Sequence, residues 1–286
     1  MKEKPILVFQ TDFTYKEGAV SAMYGVVKSV DRSLEIIDGT HEIPQYDIYS
    51  ASYRLHQVMR FWPKGTVFVS VVDPGVGTKR RACVAKLEEY YIVTPDNGTL
   101  THIAKDYPIL EVREIDETVN RLRHKDNEEV SIFHGRDLFG YCAARLASGI
   151  ISYEEVGPAY DVNEIVKLPI QKPVVEGDCV KGIVEISDPN FGNSWTNIPC
   201  QLLLNNGLRY GDPADITITC EDKEVYHKTI PFFKAFGDVA KGEDVLYHNE
   251  LNNASLAVCM GNFMEKYGVG FGSEWKITIR KGESYE

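Results

Sequence analysis

VSVVDPGVGTKRR, residues 69–81, runs from an apolar stretch through a glycine turn to three cations. Val69, Val71 and Val72 are β-branched, which suits a buried strand that ends on Asp73. Pro74, Gly75 and Gly77 break it into a turn, and Lys79, Arg80 and Arg81 follow. A strand that delivers a carboxylate to a turn is what an α/β sheet offers a ligand at its carboxyl edge.

Outward from that stretch the same alternation repeats. PILVFQTDF (5–13) is a short strand ending at Asp12, and SLEIID (33–38) is a second. Between them residues 17–30 place Val20, Met23, Val26 and Val27 at helical spacing, and residues 46–61 do the same with Ala51, Leu55 and Val58. ACVAKL and YYIVTP pair as strands before the turn PDNG. Residues 137–146 are helical and Gly149 stops them. Strands alternating with helices predict an α/β domain with a mainly parallel central sheet over residues 1–168. LPIQKPVVEGD then breaks the pattern as a linker. From residue 173 to 286, short β-branched runs such as CVKGIVEI, ADITITC and KITIRK predict a small β domain, a sandwich or barrel.

The 286 residues and 32.3 kDa allow two domains with ample core. A net charge of −11 argues against nucleic-acid binding, which needs a basic footprint, and is compatible with a cationic small molecule. Six cysteines without a CxxC pair read as free thiols of a reducing compartment. The apolar run in MKEKPILVFQTDF is too short for a signal peptide, and no stretch approaches the ~18 apolar residues of a membrane span. The expectation is a cytoplasmic protein without membrane contact.

Asp12, Asp38 and Asp73 each close a strand and are candidates to line one crevice; singly, each is also explained as a turn former or helix cap, an explanation weaker for Asp73 because of the turn and cations that follow it. GVGTKRR is a candidate phosphate-cradling turn, although it has neither Walker nor GxGxxG spacing. In FHGRDLF (133–139), His134 and Gly135 sit at a helix entrance, where a histidine serves as base, metal ligand or core residue. In DPNFGNSWTNI (188–198), Phe191, Asn193, Trp195 and Asn197 suit an adenine-like ring or a packed turn. Asp12, His41, Asp47, Asp73, Asp96, His102 and His134 supply metal-ligand types, but no HxH, HxD or HExxH spacing marks a metal site.

Taken together, QTDF (10–13), VVDPGVGT with the following KRR (71–81), TPDNGTL (94–100), FHGRDLF (133–139) and FGNSWTNI (191–198) make the chain resemble the S-adenosyl-L-methionine (SAM) hydrolases, or SAM hydroxide adenosyltransferases, relatives of fluorinase and chlorinase. The resemblance implies an N-terminal α/β domain, a C-terminal β-barrel that completes the adenine site, and a homotrimer with SAM bound at subunit interfaces. It implies SAM as substrate, with no cofactor and no metal. It assigns the hydrolase-type Asp-Arg-His constellation to Asp73, Arg80 and His134. The fluorinase branch carries Tyr-Pro in place of Asp73-Pro74 and Tyr-Ser in place of His134-Gly135, with an extra loop that is missing here.

By the same resemblance Asp12 grips the ribose hydroxyls, Tyr46 lies beside ribose and adenine, and Phe191 and Asn193 belong to the adenine pocket. Gly135 joins the substrate site, and Glu17 stands where relatives carry an aspartate near the methionine end. Thr14 replaces a glycine and Tyr24 a lysine. The segment 249–261 lacks a serine and a glycine of the pattern NSxGxLxIAxNxG that helps hold the methionine carboxylate and adenine, and its Glu250 suits a ligand amine without a carboxylate. The implied reaction is attack of water or hydroxide on the 5′ carbon of SAM, releasing adenosine and methionine, with His134 the natural base. The alternatives are a SAM- or adenosine-binding sensor without turnover and a metal-dependent phosphoesterase.

Overall fold

The computed structural model describes residues 4–123 and 132–283. They form two compact units, Met1–Leu168 and Pro169–Glu286.

In the first unit the order is β1 (Leu7–Thr11), α1 (Ala19–Val30), β2 (Ile36–Thr40), α2 (Ile48–Met59), β3 (Val67–Val71), β4 (Ala82–Lys86), β5 (Tyr91–Pro95), α3 (Ile103–Asp106) and β6 (Glu111–Glu114). A π-helical turn (Gly135–Gly140) then leads into α4 (Tyr141–Ser148), and β7 (Ala159–Tyr160) closes the unit. The sheet order is β2-β1-β3-β5-β4-β6-β7. Strands β2, β1, β3 and β5 are parallel, whereas β4, β6 and β7 add on in antiparallel fashion. The sheet is therefore a parallel core with an antiparallel flank. The short strands β6 and β7 are invisible to periodicity, because four and two residues carry too little alternation.

β1 is buried throughout, as a strand covered on both faces must be. Its residues alternate between two cores. Leu7 and Phe9 join Met23 and Val27 of α1 and Ala143 of α4, whereas Val8 joins Leu55 and Met59 of α2. α1 and α2 thus cover opposite faces. Because β1 lies between β2 and β3, the chain reverses its winding there, and the loops after β1 and β3 flank one crevice. Thr11 and Val71 are in register at its edge, which sets Asp12 and Asp73 just beyond it.

The second unit contains β8 (Val174–Glu176), β9 (Cys179–Asp188), β10 (Asn193–Pro199), α5 (Cys200–Asn205), β11 (Pro213–Cys220), β12 (Lys223–Phe233), β13 (Asp244–His248), β14 (Asn253–Val258), α6 (Phe263–Tyr267) and β15 (Trp275–Lys281). The pairing of β10 with β9 closes a seven-stranded barrel, β10-β14-β13-β12-β11-β15-β9, with β8 appended to β9. Ile216 and Ile218 of β11, Ile277 and Ile279 of β15 and Phe232 of β12 fill one buried core with α6 Phe263. Of the two sheet architectures left open by the strand pattern, the barrel is the one formed.

All six cysteines are free, and four of them are buried. Among the described residues no helix is long and apolar enough to cross a membrane.

A residue between β6 and β7 has no room for a side chain. Gly157 has φ 151°, and a Cβ there would lie 2.2 Å from the carbonyl oxygen of Glu114. The backbone cannot yield without parting β6 from β7. Gly157→Ala is expected to lower unfolding stability by about 3 kcal/mol, read from urea denaturation.

Candidate active site

The turn after β3 is built to bring Arg80 back onto Asp73. The N–H of Val76 donates to the Asp73 carbonyl and that of Thr78 to the Gly75 carbonyl, at 3.2 and 3.1 Å. Gly77 adopts a left-handed φ of 76°, which favours glycine. A Cβ on Gly75 would stand 3.2 Å from the Arg80 Cγ, so the missing side chain makes room for the arginine stem. The amides of Val76 and Thr78 are thus used within the turn itself. Arg81 points elsewhere, pairing with Glu164 at 2.7 Å and lying over the Tyr160 ring.

Arg80 then makes a fork on the Asp73 carboxylate. Its Nε donates to Oδ1 at 2.9 Å and to Oδ2 at 3.0 Å, and its Nη2 donates to Oδ2 at 2.5 Å. The side chains are 10% and 6% exposed, so this pair is shielded from water. Nη2 also donates to Nδ1 of His134 at 2.8 Å, across 54 residues of sequence. The three side chains form one chain of hydrogen bonds. From the other side, Phe139 of the π-helical turn lies under the guanidinium, 5.2 Å from ring centroid to Cζ.

The bond between Arg80 and His134 decides a tautomer. A guanidinium only donates, so Nδ1 must accept with its lone pair, and neutral His134 carries its proton on Nε2. Burial, followed by the neighbouring Arg80 charge, holds His134 below its ordinary pKa. The imidazole is therefore neutral near pH 7, with its proton on Nε2.

His134 precedes the π-helical turn, a form of helix frequent at functional sites. Gly135 follows because nothing larger fits: a Cβ would lie 2.9 Å from Phe13 and 3.2 Å from Phe133. Phe13 thus packs the loop after β1 against the turn that carries His134. Asp73, His134, Gly135, Glu17, Phe13 and Arg136 are among the residues lining a cavity of about 540 Å³, walled also by Ala19, Ala22, Val71, Val76, Ile132 and Phe133.

Asp12 stands at the edge of this arrangement. Its Oδ2 accepts the N–H of Tyr46 at 2.9 Å. Burial raises its pKa against that bond, and the negative charge of Asp73 adds a smaller rise, so the two carboxylates feel one another. Tyr46 contributes its backbone here; its ring is 62% exposed, and its φ is 66°. Glu17 lies at the start of α1, where Oε1 accepts the N–H of Ala19 at 3.0 Å.

Asp38 does not join the crevice. It lies within β2 and not at its end, and its carboxylate is held by the Tyr15 hydroxyl and by His41. The other residues of metal-ligand type are dispersed in structural roles. Asp47 caps α2 through the N–H of Ser50, Asp96 accepts from Tyr160 and Val166, and His102 is bonded to Ser52. Among the described residues no three His, Cys, Asp or Glu side chains are grouped to hold a metal ion.

In the barrel unit, Phe191 is exposed at the β9–β10 turn, and Asn193 is buried with its Nδ2 3.4 Å from the Asp188 carboxylate. Asn197 is structural, bonded to Ile183 and Gln171. Glu250 is exposed on the β13–β14 turn, which the Asn249 carboxamide holds through the N–H groups of Leu251 and Asn253.

Two features of the site escape sequence reasoning. Arg136 lines the cavity, although in FHGRDLF attention fell on His134 and Gly135. His41, 1% exposed, ties the loop after β1 in place: its Nδ1 is 2.8 Å from the Thr11 hydroxyl, and its carbonyl accepts the N–H of Thr14 at 2.8 Å. No spacing rule exposes a histidine that ties a loop through one ring nitrogen and its own carbonyl.

The chain matches the SAM hydroxide adenosyltransferase N-terminal domain over residues 7–157 and its C-terminal domain over residues 182–276, and it belongs to this family. It is 31% identical to the (R)-S-adenosyl-L-methionine hydrolase of Salinispora tropica, over 97% of this chain and 99% of the relative. The fluorinase of an Actinoplanes species is 26% identical over 88% of this chain and 90% of its own length. Among solved structures, an uncharacterized conserved protein from Thermotoga maritima aligns with a TM-score of 0.85 at 36% identity, covering 96% of this chain and all of its own.

The shielding of His134 is measurable. An NMR titration is expected to place its midpoint below the ordinary value of about 6.5. Arg80→Met is expected to move that midpoint upward, since a neighbouring cation is lost.

Proposed function

We propose that the protein hydrolyses S-adenosyl-L-methionine to adenosine and L-methionine. The observation that carries this is the buried Asp73–Arg80–His134 chain, of which Asp73 and His134 line the cavity. Oxygen of water or hydroxide attacks the 5′ carbon, the C5′–S bond breaks, and its electron pair stays on sulfur. Methionine leaves as a neutral thioether, so no acid is needed. With water as nucleophile, the attacking oxygen passes one proton on to solvent.

The protein's task is to aim and desolvate the nucleophile. The Nε2–H of His134 donates to the nucleophile oxygen, and the Arg80 charge favours hydroxide character on it. Asp73 anchors Arg80, which in turn fixes the tautomer of His134. In this account His134 is a hydrogen-bond donor, and the role of base that residue type alone suggests is set aside. Asp12 holds the ribose hydroxyls, with Tyr46 beside them. Gly135 lets Phe13 close on the cavity, Glu17 faces the methionine amine, Phe191 and Asn193 serve adenine, and Glu250 lies at the ligand's rim. The assembly is read as a cytoplasmic homotrimer with sites at subunit interfaces, a reading supported by the family resemblance. No metal or cofactor takes part.

Purified protein incubated with SAM and a chelator is expected to release adenosine and methionine in equal amounts, resolved by chromatography; their absence would overturn the reading. His134→Ala is expected to lower kcat about 100–1,000-fold, the cost typical of one lost transition-state donor. His134→Gln, whose amide N–H reaches to the place of Nε2–H, is expected to retain clearly more activity than alanine. Equal loss in both variants would return the role of base to His134.

A further inference from the structure

Arg136 lines the cavity, and nothing in the Asp73–Arg80–His134 chain uses it. It is the one arginine or lysine among the described residues lining that cavity. Its guanidinium is anchored by one edge only. Nε donates to Oδ1 of Asp137 at 2.6 Å and Nη2 to Oδ2 at 2.9 Å. The Asp137 side chain is 10% exposed, so the anchor is rigid, and the guanidinium lies over the Phe133 ring at 5.0 Å. Nη1 and the outer hydrogen of Nη2 point away from Asp137. Such a pre-oriented fork matches a carboxylate.

Glu17 lines the same cavity. One of its oxygens already closes the start of α1, so that helix end offers no site for a second anion. Its other oxygen remains for a cation. Phe13, Ala19, Ala22 and Val71 supply apolar wall. An anionic side chain, a cationic one and apolar wall on the same cavity suit an α-amino acid with an unbranched apolar chain.

We infer that Arg136 is a specificity-determining residue that binds the α-carboxylate of the methionine moiety while Glu17 binds its ammonium. The inference rests on the reaction proposed above. It gives the carboxylate a partner in a chain whose segment 249–261 lacks the family's serine and glycine.

The test compares SAM with decarboxylated SAM, which keeps the sulfonium, the adenosine and the amine but has no carboxylate. Wild type is expected to favour SAM in kcat/KM by roughly 10–100-fold, the range of a hydrogen bond to a charged group. Arg136→Gln is expected to erase that preference by raising KM for SAM with kcat held within a few fold. Turnover of decarboxylated SAM is expected to stay unchanged, which also reports that the variant is folded. Arg136→Lys is expected to recover part of the preference. A wild type that treats both compounds alike, or favours the decarboxylated one as Glu250 would suggest, overturns the subsite alone. So does an Arg136→Gln variant that loses both activities equally, because that marks a structural arginine. A wild type that hydrolyses neither compound overturns the reaction and the subsite together.

Discussion

The buried ion pair between Asp73 and Arg80 is the constraint around which the first unit is arranged. Breaking such a pair by removing one partner costs about 3–5 kcal/mol, since a shielded charge is left behind. Replacing both with packed apolar groups is often neutral or stabilising, so stability alone is a weak reason to keep it. The pair is costly to assemble as well. It needs a parallel strand to hold the carboxylate, a glycine to let the arginine stem pass and a π-helical turn to set Phe139 and His134 around the guanidinium. What the pair supplies in return is direction. Its outer N–H dictates which nitrogen of His134 carries the proton.

Strain gathers at the same edge of the sheet. Thr14 and Tyr46 both adopt left-handed φ angles, 57° and 66°, and neither is a glycine. Each such residue costs of order 1–3 kcal/mol unless its surroundings over-determine it. Here they do. The Thr14 N–H is held by the His41 carbonyl, and the Tyr46 N–H by the Asp12 carboxylate. His41 stays neutral because burial outweighs the pull of Asp38. A glycine in place of Thr14 would meet the φ requirement without strain but leave the loop more freedom in the unfolded chain. The loop that carries Asp12 and Glu17 is thus stiff on both sides.

Much of this was legible in the amino-acid sequence. The parallel strands near the site carry enough β-branched residues to be read directly, and the order of strands and helices names the fold class. The change of texture after Leu168 falls where the chain divides into its two units. Single side chains were harder. Asp38 looks like a strand-end aspartate but lies mid-strand, because β2 runs on past the apolar stretch to Thr40. His134 has no distinguishing spacing, since its partner Arg80 is 54 residues away. Only several motifs taken together pointed to it. The π-helical turn has no periodicity signal of its own, and the tautomer of His134 is a matter of hydrogen-bond direction that no sequence pattern encodes.

The central claim is that oxygen from water is delivered to the 5′ carbon. Turnover of SAM in ¹⁸O-labelled water, followed by mass spectrometry of the products, addresses it most directly. The account predicts one ¹⁸O in the 5′-hydroxyl of adenosine and none introduced into methionine. Label in a homoserine product beside methylthioadenosine, or adenosine formed without label, would contradict it.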